Sequence, residues 1–470
     1  MKGMPMPINQ GISQYVRRKR ISFAMPGHKG KNSTGIRDFF ALDVTELDDT
    51  DNLLNPTSYI KESQNKLAEI YGTSSSYYLL GGSTCGIYAM ISLAVSEGDK
   101  IIVDRFCHKS VICAIILCGA RPVYVMPGYN YRFGFTGGMG RADIELAIMQ
   151  NPDAKAVIIT SPTYYGTVSD IKSISKTVHD AGMLMLVDEA HGAHLHLSPL
   201  LPDSAVRSGA DMVVQSVHKT LGSLSGGALL HINTPIDEAT VLNTLSMYQT
   251  SSPSYACLCA LEAAVYDGLR LGDNYKKIID EVDKQRKILN KQGKVYWIGE
   301  EMVGNCNVAG IDKTRIVINF SSLPVTGFGA AKLLQSKYNI EVEMADENNI
   351  VCIVTPYNKI SDIRTLARAV SDITKNMSTS LPRTATDDYP VPHIAMTPRQ
   401  AHFSPTEAVD MIDSVGRVCG AAVCKYPPGI PLILPGEKIR AEHLRVITAS
   451  ADKGITITGI SAGGKITVVK

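Results

Sequence analysis

The sequence predicts an α/β fold built on a mainly parallel sheet with helices on both faces. Three observations predict it. Short apolar runs alternate with segments of helical spacing, the runs are continuous rather than alternating, and each ends in a turn rich in Gly, Pro or polar residues. "YYLLGGSTCGIYAMISLAV" joins a strand to a Gly-rich turn and then to a helix with Ile87, Met90, Ile91 and Ala94 on one face. "DKIIVDRF", "RPVYVMP" and "KAVIITSPTYYG" follow as strands. "DIKSISKTVHDAG" is a helix with Asp170 as N-cap, Ile171, Ile174 and Val178 on the apolar face, and Gly182 at its end. Two more strands, "MLMLVDEAHGAH" and "ADMVVQSVHK", run into charge and polar groups. Beyond residue 273, "YKKIIDEVDKQRKILNKQ" predicts a connecting helix, and "TRIVINF", "NIEVEMAD" and "NIVCIVTP" predict strands of a smaller α/β domain. A Pro/Thr-rich linker at 379–393 precedes a helix and a β-rich tail ending in "GITITGISAGGKITVVK".

Composition excludes several functions. With 470 residues and 44% hydrophobic content the chain can bury more than one core. Its 47 basic residues nearly cancel 45 acidic ones, so no global field draws nucleic acid or an anionic membrane, and a small-molecule partner is expected. Ten scattered cysteines without a CxxC pair fit neither a zinc site nor a disulfide framework, so no metal is expected and a reducing cytoplasm is. No apolar run reaches the roughly eighteen residues of a membrane span, which predicts a soluble protein. The basic "QYVRRKR" reads as a solvated arm rather than a transit peptide, because Pro5, Pro7 and nearby glycines interrupt any long amphipathic helix.

Ligands in such sheets gather beyond the carboxyl ends of the strands. Asp188 ends one strand, Lys219 lies just past another beside Ser216 and His218, and His108 ends a third. The turn "GGSTCG" offers backbone N–H groups and two hydroxyls at a helix N-terminus, an anion site by geometry and dipole. A carboxylate, an amine, an imidazole and a phosphate cradle together match pyridoxal 5'-phosphate. Its aldehyde needs an amine of depressed pKa, its phosphate needs N–H donors, and its ring nitrogen needs an acid to stay protonated as an electron sink.

"FAMPGHKG", "YYLLGGSTCG", "CHKSV", "TSPTYYGTVSD", "LVDEAHGAH" and "SVHKTLGSL", in this order, resemble the pyridoxal-phosphate-dependent ornithine/lysine/arginine decarboxylase family. "TSSPSY", "YNIEVEMAD" and "YPPGIPLILPGE" extend the resemblance over most of the chain, and the short stretch ahead of "MPGHKG" resembles the wingless branch. The resemblance implies a fold type I enzyme of the seven-stranded type. With the boundaries read near 273 and at 379–393, the chain is expected to divide into an N-terminal segment at 1–60, a large cofactor domain at 61–273, a small α/β domain at 274–380 and a C-terminal helix and β-rich domain at 381–470. Lys219 would be the Schiff-base lysine, Asp188 the partner of the pyridine nitrogen and His108 the group stacked on the ring. Ser83, Thr84 and Cys85, with Ser216 and His218, would hold the phosphate, while Thr163 and His191 would lie near the phenolic oxygen; His191 is equally suited to ordering the Asp188 loop.

The activity implied is decarboxylation of arginine, lysine or ornithine to the amine and carbon dioxide, a step toward polyamines, with His108 or Lys219 as general acid. Another fold type I reaction (aminotransferase or lyase), an atypical amino acid, and a non-catalytic binding protein remain open. The distal cation of the substrate needs a carboxylate, for which Asp48, Asp49, Asp51, Glu341, Glu343 and Glu437 are candidates. Ser225 and Gly226 stand where relatives carry Thr-Gln, which loosens the substrate assignment. A homodimer or higher homo-oligomer with shared active sites is expected, with the apolar "TSSPSYACLCALEAAVYDGL" suited to a subunit contact.

Overall fold

The computed structural model describes residues 6–18, 37–384, 389–426 and 429–470. The chain divides into two compact units, one of Met1–Leu93 with Met185–Tyr275, the other of Ala94–Leu184 with Lys276–Lys470. "FAMPGHKG", residues 23–30, lies outside the described residues.

Seven short strands among the described residues are β1 (Ser75–Leu79), β2 (Lys100–Asp104), β3 (Arg121–Val125), β4 (Ala156–Thr160), β5 (Leu184–Asp188), β6 (Met212–Gln215) and β7 (Ala228–Ile232). In the first unit they are ordered β1-β7-β6-β5, with β7 antiparallel to both neighbours and β5 parallel to β6. The second unit carries β4-β2-β3, parallel throughout. Three of these five pairings are parallel, as expected of a mainly parallel sheet, and β7 is the antiparallel exception. Its five residues are all buried, and burial on both faces hides the direction of a run.

The helices that matter to the site are α1 (Pro7–Arg17), α2 (Tyr59–Tyr71), α3 (Gly82–Ala94), α4 (Lys109–Cys118), α5 (Val217–Thr220) and α6 (Tyr255–Leu271). In α3 the predicted Ile87, Met90 and Ile91 are fully buried, each worth about 1.5–3 kcal/mol. Ala94, at the frayed end, is only half-buried. A Cβ on Gly86 would come within 2.5 Å of Leu79 Cδ1 and 3.0 Å of Val214 Cγ1, so α3 packs on β1 and β6 at a distance only glycine permits. The helix Ile171–Asp180 starts as predicted, with the Asp170 carboxylate accepting from Ser173 N–H at 3.1 Å.

Helix α6 explains its apolar character within its own unit. Leu258, Leu261, Ala264 and Val265 are buried there, and so is Glu262, at zero exposure. The Glu262 carboxylate accepts from the N–H groups of Ile8 (3.1 Å) and Asn9 (2.9 Å) and from Ser63 Oγ (2.6 Å), meeting the positive end of α1.

In the second unit a four-stranded antiparallel sheet orders Tyr296–Trp297, β8 (Arg315–Asn319), β9 (Asn349–Ile353) and Met344–Ala345 over a core that includes Trp297, Ile316, Ile318 and Ile350. "NIEVEMAD" is mostly not a strand: Met344–Ala345 pairs with β9 and Glu343 N–H reaches Val351 O at 2.9 Å, while Asn339 closes the preceding helix with φ 53°. The tail forms two small antiparallel sheets and the helix Ala441–Asp452 around Cys419, Val423, Ile433, Ile439 and Ile447.

Candidate active site

In the first unit, β5 and β6 run side by side and end together, with Asp188 opposite Val214. Asp188 is buried, and its Oδ1 accepts from Ala190 N–H at 3.1 Å, which turns the chain sharply after the strand. Past β6, Ser216 leads into the single turn α5, which carries Lys219 half-buried. The turn after Asp188 returns His191 to Lys219, with Nε2 and Nζ 3.2 Å apart. Of the predicted groups, these two are in direct contact.

The turn before α3 meets the same segment. Gly82, at φ 70°, donates its N–H to Gly226 O at 2.8 Å. Gly226 itself needs φ 90°, a conformation that side chains rarely adopt. Thus Gly226 ties the lysine loop to the helix start. His218 Nδ1 donates to Gly227 O at 2.9 Å and pins that loop from the other side. Ser83 and Thr84 are half-buried at the start of α3. The Cys85 thiol donates to Gly82 O at 3.1 Å and burial pushes it up to about 11, so it stays protonated and offers an approaching anion only its backbone N–H. Ser216 is fully buried, and its Oγ has no hydrogen-bond partner among the described residues. Such a hydroxyl is open to a bond from a ligand or a water.

His108 and Thr163 belong to the second unit. His108 caps α4: its Nδ1 accepts from Ser110 N–H at 3.3 Å and lies 2.8 Å from Ser110 Oγ, which assigns the ring proton to Nε2 and leaves the imidazole exposed in this unit. Thr163 follows β4, its Oγ1 lying 2.5 Å from Thr167 Oγ1. Because the Thr167 hydroxyl donates to Gly137 O at 2.8 Å, the Thr163 proton goes to Thr167, and Thr163 can offer a further partner only lone pairs.

Several candidate carboxylates for the distal cation are engaged within the chain. Glu437, 1% exposed, bonds through Oε2, which pairs with Arg105 at 3.0 Å and accepts from Leu434 N–H at 3.0 Å, while its Oε1 has no hydrogen-bond partner among the described residues. Asp51 accepts backbone N–H groups from Asn52, Thr57, Ser58 and Ile60 at 2.9–3.0 Å. Asp49 pairs with Arg18 at 2.7 Å, and Glu343 accepts from the Tyr164 hydroxyl. Asp48 and Glu341 are exposed. Sequence reasoning also missed Glu189, Gln215 and His231, a buried polar chain behind the strand ends; the sole local signal was a second acid in "DEAHGAH".

The fold is that of the fold type I pyridoxal-phosphate enzymes. A serine palmitoyltransferase from Sphingomonas wittichii superposes with TM-score 0.55 at 16% identity, covering 70% of this chain and 80% of its own. The chain belongs to the Orn/Lys/Arg decarboxylase family: the family's major-domain model matches residues 6–308 and its C-terminal-domain model residues 380–450. It is accordingly a decarboxylase of a basic amino acid. It is 33% identical to an arginine decarboxylase of Bacillus subtilis over 96% of this chain and 95% of that one. It is 23% identical to the inducible lysine decarboxylase of Escherichia coli K12, over 94% and 76% of the two chains. The lysine decarboxylase of Francisella novicida superposes with TM-score 0.86 at 18% identity, covering 99% of this chain and 81% of its own.

Proposed function

We propose that the chain decarboxylates arginine to agmatine and carbon dioxide, using pyridoxal 5'-phosphate. The observation that carries the cofactor is the meeting of Lys219 Nζ with His191 Nε2 beside the end of β5, where Asp188 sits. Arginine is favoured over lysine by the higher identity to the arginine decarboxylases, 33% against 23%.

The residues present fit the cofactor. The start of α3 with Ser83, Thr84 and the Cys85 N–H, together with the unpartnered Ser216 Oγ and with His218, would hold the phosphate. Asp188 would face the pyridine nitrogen, His108 the ring, and His191 and Thr163 the phenolic oxygen. Bound there, the cofactor supplies the electron sink for the bond broken at the substrate's α-carbon. Lys219 would offer the amine that holds it. His191, at 3.2 Å, is placed to take a proton from Lys219 Nζ and return it. Lys219 or His108 would supply the proton that the α-carbon takes up. Asp188, buried at the end of β5, would set its carboxylate against the ring's positive charge.

The division at residues 60, 273 and 380, a homodimer with shared sites, and a cytoplasmic location belong to the same proposal. No helix among the described residues is long and apolar enough to cross a membrane. The test is to supply arginine, lysine and ornithine separately to protein reconstituted with the cofactor and to assay carbon dioxide and amine. Agmatine from arginine at the highest kcat/KM is expected. Preference for lysine or ornithine overturns the substrate, and no carbon dioxide from any of the three overturns the proposal.

A further inference from the structure

Behind the ends of β5 and β6 a line of buried polar side chains crosses the first unit. Glu189, 1% exposed, accepts from Ser204 Oγ at 2.6 Å, Ala205 N–H at 2.7 Å and Gln215 Nε2 at 2.5 Å. Gln215 Oε1 lies 3.2 Å from His231 Nε2, and His231 Nδ1 lies 2.8 Å from Ser76 Oγ, with Gln215 and His231 at zero exposure. One polarity satisfies all of them. The Glu189 carboxylate accepts three bonds, the Gln215 amide donates to it and accepts from His231 Nε2–H, and His231 Nδ1 accepts from the Ser76 hydroxyl.

The position of this line is what gives it a bearing on chemistry. Glu189 directly follows Asp188 and precedes His191 by two residues; Gln215 directly precedes Ser216 and stands four residues before Lys219. The turn also closes on the Glu189 stem: Gly192 N–H donates to Glu189 O at 2.9 Å, and a Cβ on Gly192 would lie 2.5 Å from Glu189 Cγ. An apolar pair could hold two strands together as firmly, since a buried carboxyl is unfavourable unless its bonds compensate. Directional bonds fix the turn as well.

We infer that Glu189 is a positioning residue: locked by Ser204, Ala205 and Gln215, it sets the turn that carries Asp188 and His191 against the segment that carries Lys219, and so holds His191 Nε2 at 3.2 Å from Lys219 Nζ. It acts through those residues and touches neither substrate nor cofactor. The inference rests on the proposed function for what Lys219 and Asp188 do.

The test swaps the pair in the full-length protein reconstituted with pyridoxal 5'-phosphate. In Glu189→Gln the new amide places a donor against the Gln215 donor; in the double variant Glu189→Gln/Gln215→Glu the complementary pairing is rebuilt in reverse. The single variant is expected to bind cofactor, shift its visible absorption band and lose kcat by about tenfold, with KM for the amino acid unchanged within about twofold. The double variant is expected to recover the wild-type band and about half or more of the wild-type kcat. A single variant with wild-type band and kcat overturns the inference, and so does a loss that the double variant leaves in place. If the single variant fails to fold, the double decides: folded and active supports the inference, unfolded or inactive overturns it. Wild-type protein with no band and no carbon dioxide refutes the proposed function, and the inference with it, whereas a normal wild type beside a silent Glu189→Gln refutes the inference alone.

Discussion

Replacing Glu437 by alanine removes one partner of a buried ion pair and leaves the other in place. Arg105 is 2% exposed, and its NH2 lies 3.0 Å from Glu437 Oε2. Stranding one charge of such a pair typically costs about 3–5 kcal/mol. Arg105 keeps two other acceptors, Pro431 O at 3.1 Å and Leu432 O at 3.2 Å, so the cost falls at the lower end, about 3 kcal/mol. At 2–4 °C per kcal/mol for folding units of roughly this size, the melting temperature should drop by about 6–12 °C. Thermal melting followed by circular dichroism reads this directly. Glu437→Gln, which keeps an acceptor, should lose about half as much, and the apolar exchange Arg105→Met/Glu437→Leu should cost less than Glu437→Ala alone. A Glu437→Ala protein melting within about 1 °C of wild type, or a double variant worse than the single, would refute the reasoning. The same experiment tests whether this carboxylate is structural, since Glu437→Gln should leave KM for substrate unchanged.

Two further outcomes follow from buried acids. Burial pushes Glu189 up to about 7 against an ordinary value of 4.5. The folded chain therefore binds this proton more tightly than the unfolded one, so its contribution is most favourable below pH 4.5 and is lost as pH rises through 7. The change amounts to roughly 3 kcal/mol, and Glu189→Gln should remove it; urea-unfolding free energies of the two proteins that run parallel from pH 4.5 to 7.5 would contradict this. Burial works to raise Asp51, but backbone N–H groups of Thr57, Asn52, Ile60 and Ser58 outweigh it and lower its pKa below 3.8. Its contribution is present above that value and is lost as pH falls through the lowered one. Asp51→Ala should cost about 2 kcal/mol at pH 7 and Asp51→Asn about half that, because Asn also tolerates the φ of 59°; equal melting temperatures for all three proteins would contradict this.

What the sequence could reveal depended on the range of the interaction. The strands were legible from continuous apolar runs, and the Asp170 cap and its helix from spacing over a few residues. The direction of β7 was not legible, because a run buried on both faces carries no arrow. The alternation in "NIEVEMAD" imitated a strand, but Glu341 and Glu343 are exposed and the pairing amounts to two residues. Lys219, Asp188, Ser216 and the "GGSTCG" turn stood out because strand ends collect chemistry; Asp188 is the last residue of β5 and Lys219 lies just beyond β6. Glu437 stood among the candidates for the substrate's distal cation because its partner, Arg105, is 332 residues away and leaves no local trace. Glu189 hid for the same reason: its bonds reach 15 and 26 residues along the chain, and nothing local separates it from a solvated acid.

The central claim is that the amine at position 219 carries the cofactor. Protein incubated with pyridoxal 5'-phosphate, reduced with borohydride, digested and mapped by mass spectrometry should yield the reduced pyridoxyl adduct on Lys219 alone, and none on Lys219→Ala protein treated in the same way. An adduct on another lysine, or wild-type protein that takes up none, would contradict the account.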